Sequence, residues 1–226
     1  MNYSELEEKL GKQIEADWHQ ASGGGWIYKN AKVENEANIR ENAIVMDIAK
    51  VSGNAKVSGN AKVSGDAVVS GNAEVSGNAW VSGNAVVSDN AVVASDAWVS
   101  GNAKVSGNAV VSGNAWVSGD AVVSDNAVVS GNAKVYGNAW VSGNANVSDN
   151  AWVFGNAWEK SPLYLLDSRN HGATNCKHGW LKIGCEEHTF QDWDKNFDQI
   201  AIKHDLTNAE KIEYRAIIDL FIKIGK

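Results

Sequence analysis

The chain has 226 residues, with 22 Gly against one Pro, ten Trp against four Phe, and 20 Lys and Arg against 27 Asp and Glu, a formal net charge of −7. That composition argues against an ordinary mixed-layer enzyme domain, and the acidic balance argues against gripping a nucleic-acid duplex through a basic face. No apolar run approaches a membrane span. The acidic N-terminus (Glu5, Glu7, Glu8, Glu15, Asp17) does not read as a signal peptide, and two cysteines make no disulfide framework, so a cytoplasmic setting is expected.

In chain order, residues 1–21 read as one amphipathic helix. Ser4 and Glu7 stand at capping-box spacing, and Leu6, Leu10, Ile14 and Trp18 recur at helical intervals. Gly23, Gly24 and Gly25 then release the chain. Residues 1–26 are therefore expected to be a capping helix and Gly linker, plugging the open end of whatever follows and covering its unpaired strand edges.

From Ile27 to Val153 an aliphatic residue occupies every sixth position, giving 22 hexads without an insertion, and Ala follows four residues after each. The unit is written in full at Val51–Lys56. A helix cannot keep one face over this period, whereas Ala-x-Val-Ser makes a short strand with Ala and Val inward. Gly-Asn, or Asp-Asn as at Asp89–Asn90, supplies a corner that tolerates positive φ. Such units stack as rungs of a parallel β-helix, and three per coil give about seven coils over residues 27–158. A disordered low-complexity tract is the alternative, which a strict Val/Ala core pattern opposes.

With 18 residues per coil, the outward positions sort into three columns. The first runs Trp26, Ile44, Lys62, Trp80, Trp98, Trp116, Lys134, Trp152, with Tyr28, Tyr136 and Phe154 two residues along on the same face. The second runs Lys32, Lys50, Val68, Val86, Lys104, Val122, Trp140, Trp158. The third runs Asn38, Lys56, Glu74, Val92, Val110, Val128, Asn146. The first column is an aromatic wall, and Trp80, Trp98, Trp116, Tyr136, Trp152 and Phe154 are its candidate binding residues. A wall of this kind calls for a cover, either a neighbouring subunit or the C-terminal helices, or else serves as a stacking platform for a planar ligand. Ice binding is set aside, since paired Thr columns are lacking.

The rhythm stops after Trp158. Residues 159–226 read as a small α+β tail, with strands near Leu163–Leu166 and Trp180–Ile183 around a polar loop. A helix follows from Thr189 to about Lys203, with Phe190, Trp193, Phe197 and Ile200 on one side. A last helix runs from Thr207 to about Ile224, capped by Thr207 and Glu210 and burying Ile212, Ala216, Ile217, Leu220 and Phe221.

The hexad, aliphatic first and small fifth, resembles the hexapeptide-repeat family over residues 27–158. The resemblance implies a left-handed triangular parallel β-helix, with a right-handed, bactofilin-like β-helix as the alternative. Trp180 to Trp193, Tyr214 and Gly23–Trp26 are similar to segments of phage and prophage hexapeptide-repeat proteins, which implies a bacterial or phage-infected cytoplasm and no particular activity.

Many members of the family are trimeric acyltransferases that use acetyl-CoA and a histidine base. None of the five histidines lies within 27–158, so an acyltransferase would need His171 or His188 from the tail, with Cys185 as another catalytic candidate. Cys176, His178, Cys185 and His188 also offer four zinc ligands at spacings that match no recognised finger. The expectation is a non-catalytic binding or scaffold protein, homo-oligomeric and trimeric in preference, acting on a host protein or sequestering a planar ligand such as a nucleotide signal. Neither a membrane nor a nucleic-acid duplex is expected as a partner.

Overall fold

The computed structural model describes residues 1–11, 15–154, 157–158, 164–166, 172–177 and 179–224. In most hexads the outward residue and the aliphatic residue after it form a two-residue strand, as in Trp98–Val99 and Lys104–Val105; Asn38 instead ends a 3-10 turn, Glu36–Asn38, and Ile39 makes a single bridge to Val57. From Ala43 to Val153 the inward Ala and Val side chains are at most 2% exposed, so they form one continuous core along the column. The third residue of each hexad turns the corner. Its φ lies between +58° and +72° from Glu41 to Asp149, a conformation that Gly adopts without strain.

Rungs are joined by a repeating backbone ladder. Trp80 N donates to Ala97 O (2.9 Å), Ser82 N to Val99 O (2.9 Å) and Asn84 N to Gly101 O (2.8 Å). The corner Asn side chains add a second ladder, Nδ2 of one rung donating to Oδ1 of the next. It runs from Asn54 through Asn72, Asn90, Asn108 and Asn126 to Asn144 at 3.0–3.2 Å. An Asp accepts from below but has no proton to pass upward, as where Asn102 donates to Asp120.

The result is a β-solenoid of parallel strands in three sheets. The first sheet registers Trp26, Ile44, Lys62, Trp80, Trp98, Trp116, Lys134 and Trp152 as one column, as the period of 18 requires. The second registers Lys32 through Trp140, and the third Lys56 through Asn146. Trp158 departs from expectation: Ala157 pairs with Trp140, and Trp158 pairs with Val141. This is the last hexad, and a one-residue slip there disturbs no further repeat.

The N-terminal segment also differs from a single helix. Helix α1 spans Tyr3–Leu10, its capping box formed by Asn2 and Glu5 instead of Ser4 and Glu7. Trp18–Gln20 is a strand that pairs antiparallel with Trp26–Tyr28 and extends the first sheet at its lower edge. The chain turns back through Gly24, whose φ is +100°. Helix α1 does not plug the column's end. It lies on the outside of the first sheet, where Leu6 packs with Trp18, Trp26 and Ile44. There Trp18, Trp26 and Ile44 give Leu6 an apolar surface to bury against.

The tail contains an antiparallel sheet ordered Tyr164–Leu166, Gly172–Lys177, Trp180–Ile183, Glu186–Thr189. The second and fourth of these strands were not anticipated. Helix α2 (Phe190–Lys203) is capped by Thr189, and α3 (Asn208–Ile224) begins with the Thr207–Glu210 box. Phe190, Trp193, Phe197 and Ala201 of α2 meet Tyr214, Ile217, Ile218 and Phe221 of α3. Helix α3 is therefore rotated from the expected face, and Ile212 (73% exposed), Ala216 and Leu220 point outward. Two apolar stripes compete on this helix, and the one with two aromatic rings buries the greater area. Among the described residues no helix is long and apolar enough to cross a membrane.

Candidate functional site

The aromatic wall divides into three zones. At the bottom, α1 covers Trp26 and Ile44, and Tyr3 meets Trp26 edge-on at 6.0 Å. At the top, Tyr136 stacks on Phe154 (5.2 Å), and Lys182 of the tail places its ammonium 4.1 Å from the Trp152 ring centre. Between them Trp80, Trp98 and Trp116 remain 37–40% exposed on three successive rungs.

Local sequence explains how three indoles share one column. Two residues past each outward position the middle rungs carry Ser, where the ends carry Tyr28, Met46, Tyr136 and Phe154. A small Ser lets the indole of the rung above lie down over it. Trp80 Nε1 donates to Ser64 Oγ at 3.0 Å, Trp98 reaches Ser82 at 3.4 Å and Trp116 reaches Ser100 at 3.5 Å. The rings overlap like tiles, with centroids 5.1 and 5.4 Å apart and planes within 12° of parallel. Trp98 therefore has an indole on each face, while Trp80 and Trp116 each have one. Lys62 closes the stack below, with Nζ 5.8 Å from the Trp80 ring, and Lys134 closes it above, between Trp116 (5.8 Å) and Trp152 (5.0 Å).

A second cluster lies in the tail. The turn between Trp180–Ile183 and Glu186–Thr189 carries Cys185, a free and exposed thiol, next to Glu186. One carboxylate oxygen of Glu186, Oε1, accepts from Lys203 Nζ at 2.6 Å and lies 2.7 Å from His204 Nε2, both at the C-terminal end of α2. Its Oε2 lies 2.9 Å from His188 Nε2. Hydrogen bonds from Lys203, then His204, then His188 hold the carboxyl well below its ordinary range, at about 2, against the opposing effect of burial. The His188 ring stands edge-on to Trp193 at 5.2 Å, and Trp193 Nε1 donates to Leu181 O at 2.6 Å. Cys185, Glu186 and His204 border a cavity of about 110 Å³, with Trp193, Leu206 and Tyr214 among its apolar walls.

The structure thus gathers Trp80, Trp98 and Trp116 into one surface, and it joins Tyr136, Trp152 and Phe154 at the top of the same face. It brings Cys185 and His188 into one hairpin. His171 and His178 lie outside the described residues, as does the Cys176 side chain, so the four-ligand set of Cys176, His178, Cys185 and His188 is not assembled from what is described. Glu186 and His204 escaped sequence reasoning because 18 positions separate them. The one available signal was a basic pair, Lys203 and His204, at the end of a predicted helix.

In comparisons with known proteins, residues 103–119 match a family described as the YdcK beta solenoid repeat. That match spans about one coil, and it agrees with the solenoid of parallel strands. No curated protein and no solved structure matches the chain.

Proposed function

We propose that this chain is a non-catalytic binding protein that associates with further copies of itself, as a trimer, through the Trp80–Trp98–Trp116 face. The observation that carries this reading is the three contiguous indoles at 37–40% exposure on one sheet, flanked by Lys62 and Lys134 and left uncovered by the described residues of both ends of the chain. Flat aromatic surface of this sort is what the core of a protein interface uses, with the lysines forming a polar rim. Rings already at stacking distance leave no slot for an inserted planar guest, which favours a protein surface over a nucleotide. Stable interfaces bury about 800 Å² on each partner, more than three half-exposed indoles offer, so the contact extends over the neighbouring corners.

The left-handed winding, the hexapeptide-repeat kinship and the phage or prophage setting in a cytoplasm rest on the resemblances of the hexads and tail. In that setting a host protein is the natural further partner. Acyl transfer would have to draw its base from the tail, where His188 Nε2 already faces Glu186.

Sedimentation velocity on Trp98→Lys and on Val110→Lys, which lies on the third sheet, tests the reading. Loss of the assembled species in the first variant and its retention in the second supports it. Assembly that survives Trp98→Lys overturns it.

A further inference from the structure

The tail module must hold its sheet against α2 and α3 with a core of modest size, and small modules commonly add a staple. The hairpin turn and the C-terminal end of α2 meet at one place, and the groups that meet there are a thiol, a carboxylate and an imidazole. The Cys185 Sγ, a Glu186 carboxylate oxygen and a His204 ring nitrogen all lie within 4.8 Å of one another. Ligands of a tetrahedral zinc ion stand roughly 3.3–3.6 Å apart, given bonds of about 2.0 Å to nitrogen and oxygen and about 2.3 Å to sulfur. Small side-chain rotations separate these three atoms from that geometry.

We propose that Cys185, Glu186 and His204 form a zinc site that fastens the hairpin turn to the end of α2. The donor set decides the metal class: one sulfur, one nitrogen and one oxygen suit a borderline-soft divalent ion, whereas calcium and magnesium ask for oxygen alone. The surroundings favour a cation in three further ways. The last carbonyls of α2 present the negative end of its dipole beside His204. His188 Nε2, 2.9 Å from Glu186 Oε2, orients the carboxylate from behind, the part a supporting hydrogen bond plays around a metal ligand. The adjoining cavity of about 110 Å³ leaves room for water in the fourth position.

One group opposes the ion. Lys203 Nζ occupies Glu186 Oε1 at 2.6 Å, and its side chain is 65% exposed, so it is free to swing into solvent when the metal takes its place. Binding converts the Cys185 thiol to thiolate, with its proton passing to solvent, while neutral His204 contributes a lone pair.

The test uses the full chain, stripped of metal by a chelator. Zn²⁺ is titrated against a chromophoric competitor, and Co²⁺ serves as a spectroscopic probe, with circular dichroism checking the fold of each variant. The expected result is one equivalent bound, with a thiolate-to-cobalt charge-transfer band in the wild-type chain. That band is lost in Cys185→Ser. Glu186→Gln and His204→Gln weaken Zn²⁺ binding at least tenfold, Cys176→Ser leaves it unchanged, and Lys203→Met strengthens it several-fold by removing the competing cation. Absence of the cobalt band in the wild-type chain overturns the site. So does binding that survives Glu186→Gln and His204→Gln but is lost in Cys176→Ser, or binding that weakens in Lys203→Met.

Discussion

Replacing Gly101 with Ala and, separately, Ser95 with Ala introduces the same side chain at two corners of the solenoid. Both positions have left-handed φ, +70° at Gly101 and +62° at Ser95. At Gly101 a Cβ would come 2.9 Å from Gly119 N and 3.0 Å from Gly119 O on the next rung. The second of these atoms accepts the Asn102 N–H at 2.8 Å, so the methyl group presses on a bond that joins two rungs. Left-handed backbone costs a residue with a Cβ about 1–2 kcal/mol, and forced overpacking adds about 1–3 kcal/mol. Gly101→Ala is therefore expected to destabilise by about 2–5 kcal/mol. Ser95 already carries a Cβ and is exposed, so Ser95→Ala should cost no more than about 0.5 kcal/mol. Urea denaturation gives the comparison, and amide exchange localises it, since long repeat arrays depart from all-or-none unfolding. Equal losses in the two variants would refute the stacking of corner on corner, and with it the 18-residue register.

Three further outcomes follow from the same geometry. Leu6 is fully buried beneath α1, so Leu6→Ala should destabilise by about 2–4 kcal/mol and expose Trp26, read as a red shift in tryptophan fluorescence and a lower melting temperature. Asn102 accepts from Asn84 and donates to Asp120, so Asn102→Ala should cost about 1 kcal/mol in urea denaturation, its exposure keeping the loss small. Because the folded pKa of Glu186 is depressed to about 2, its contribution is present above the ordinary carboxylate range and is lost as pH falls toward 2. In metal-free protein, tail stability should therefore drop across that acid window, and Glu186→Gln should flatten the drop.

How much of this was legible in the sequence varies along the chain. The solenoid was, because its core is written as Val and Ala at fixed positions, and the same period places Trp80, Trp98 and Trp116 in adjacent rungs. The tiling of those rings depends on Ser64, Ser82 and Ser100 of the rungs below, which the period also fixes but whose packing role becomes clear only with the indoles in place. The N-terminus was misread because Leu6, Leu10 and Trp18 suit one helical face. Trp18 instead serves the first sheet, where pairing with Tyr28 satisfies a strand edge. In α3 two apolar stripes were available, and only the neighbouring α2 decides between Ile212 and Tyr214. Glu186 and His204 meet through the tail's tertiary fold, which leaves no periodic trace.

The most direct test of the account is the solution mass of the wild-type chain, measured by light scattering across a range of concentrations. The account predicts a species of three times the 24.2 kDa chain mass, dissociating on dilution. A constant single-chain mass at every concentration would contradict the claim that the tryptophan face is where copies of this chain meet.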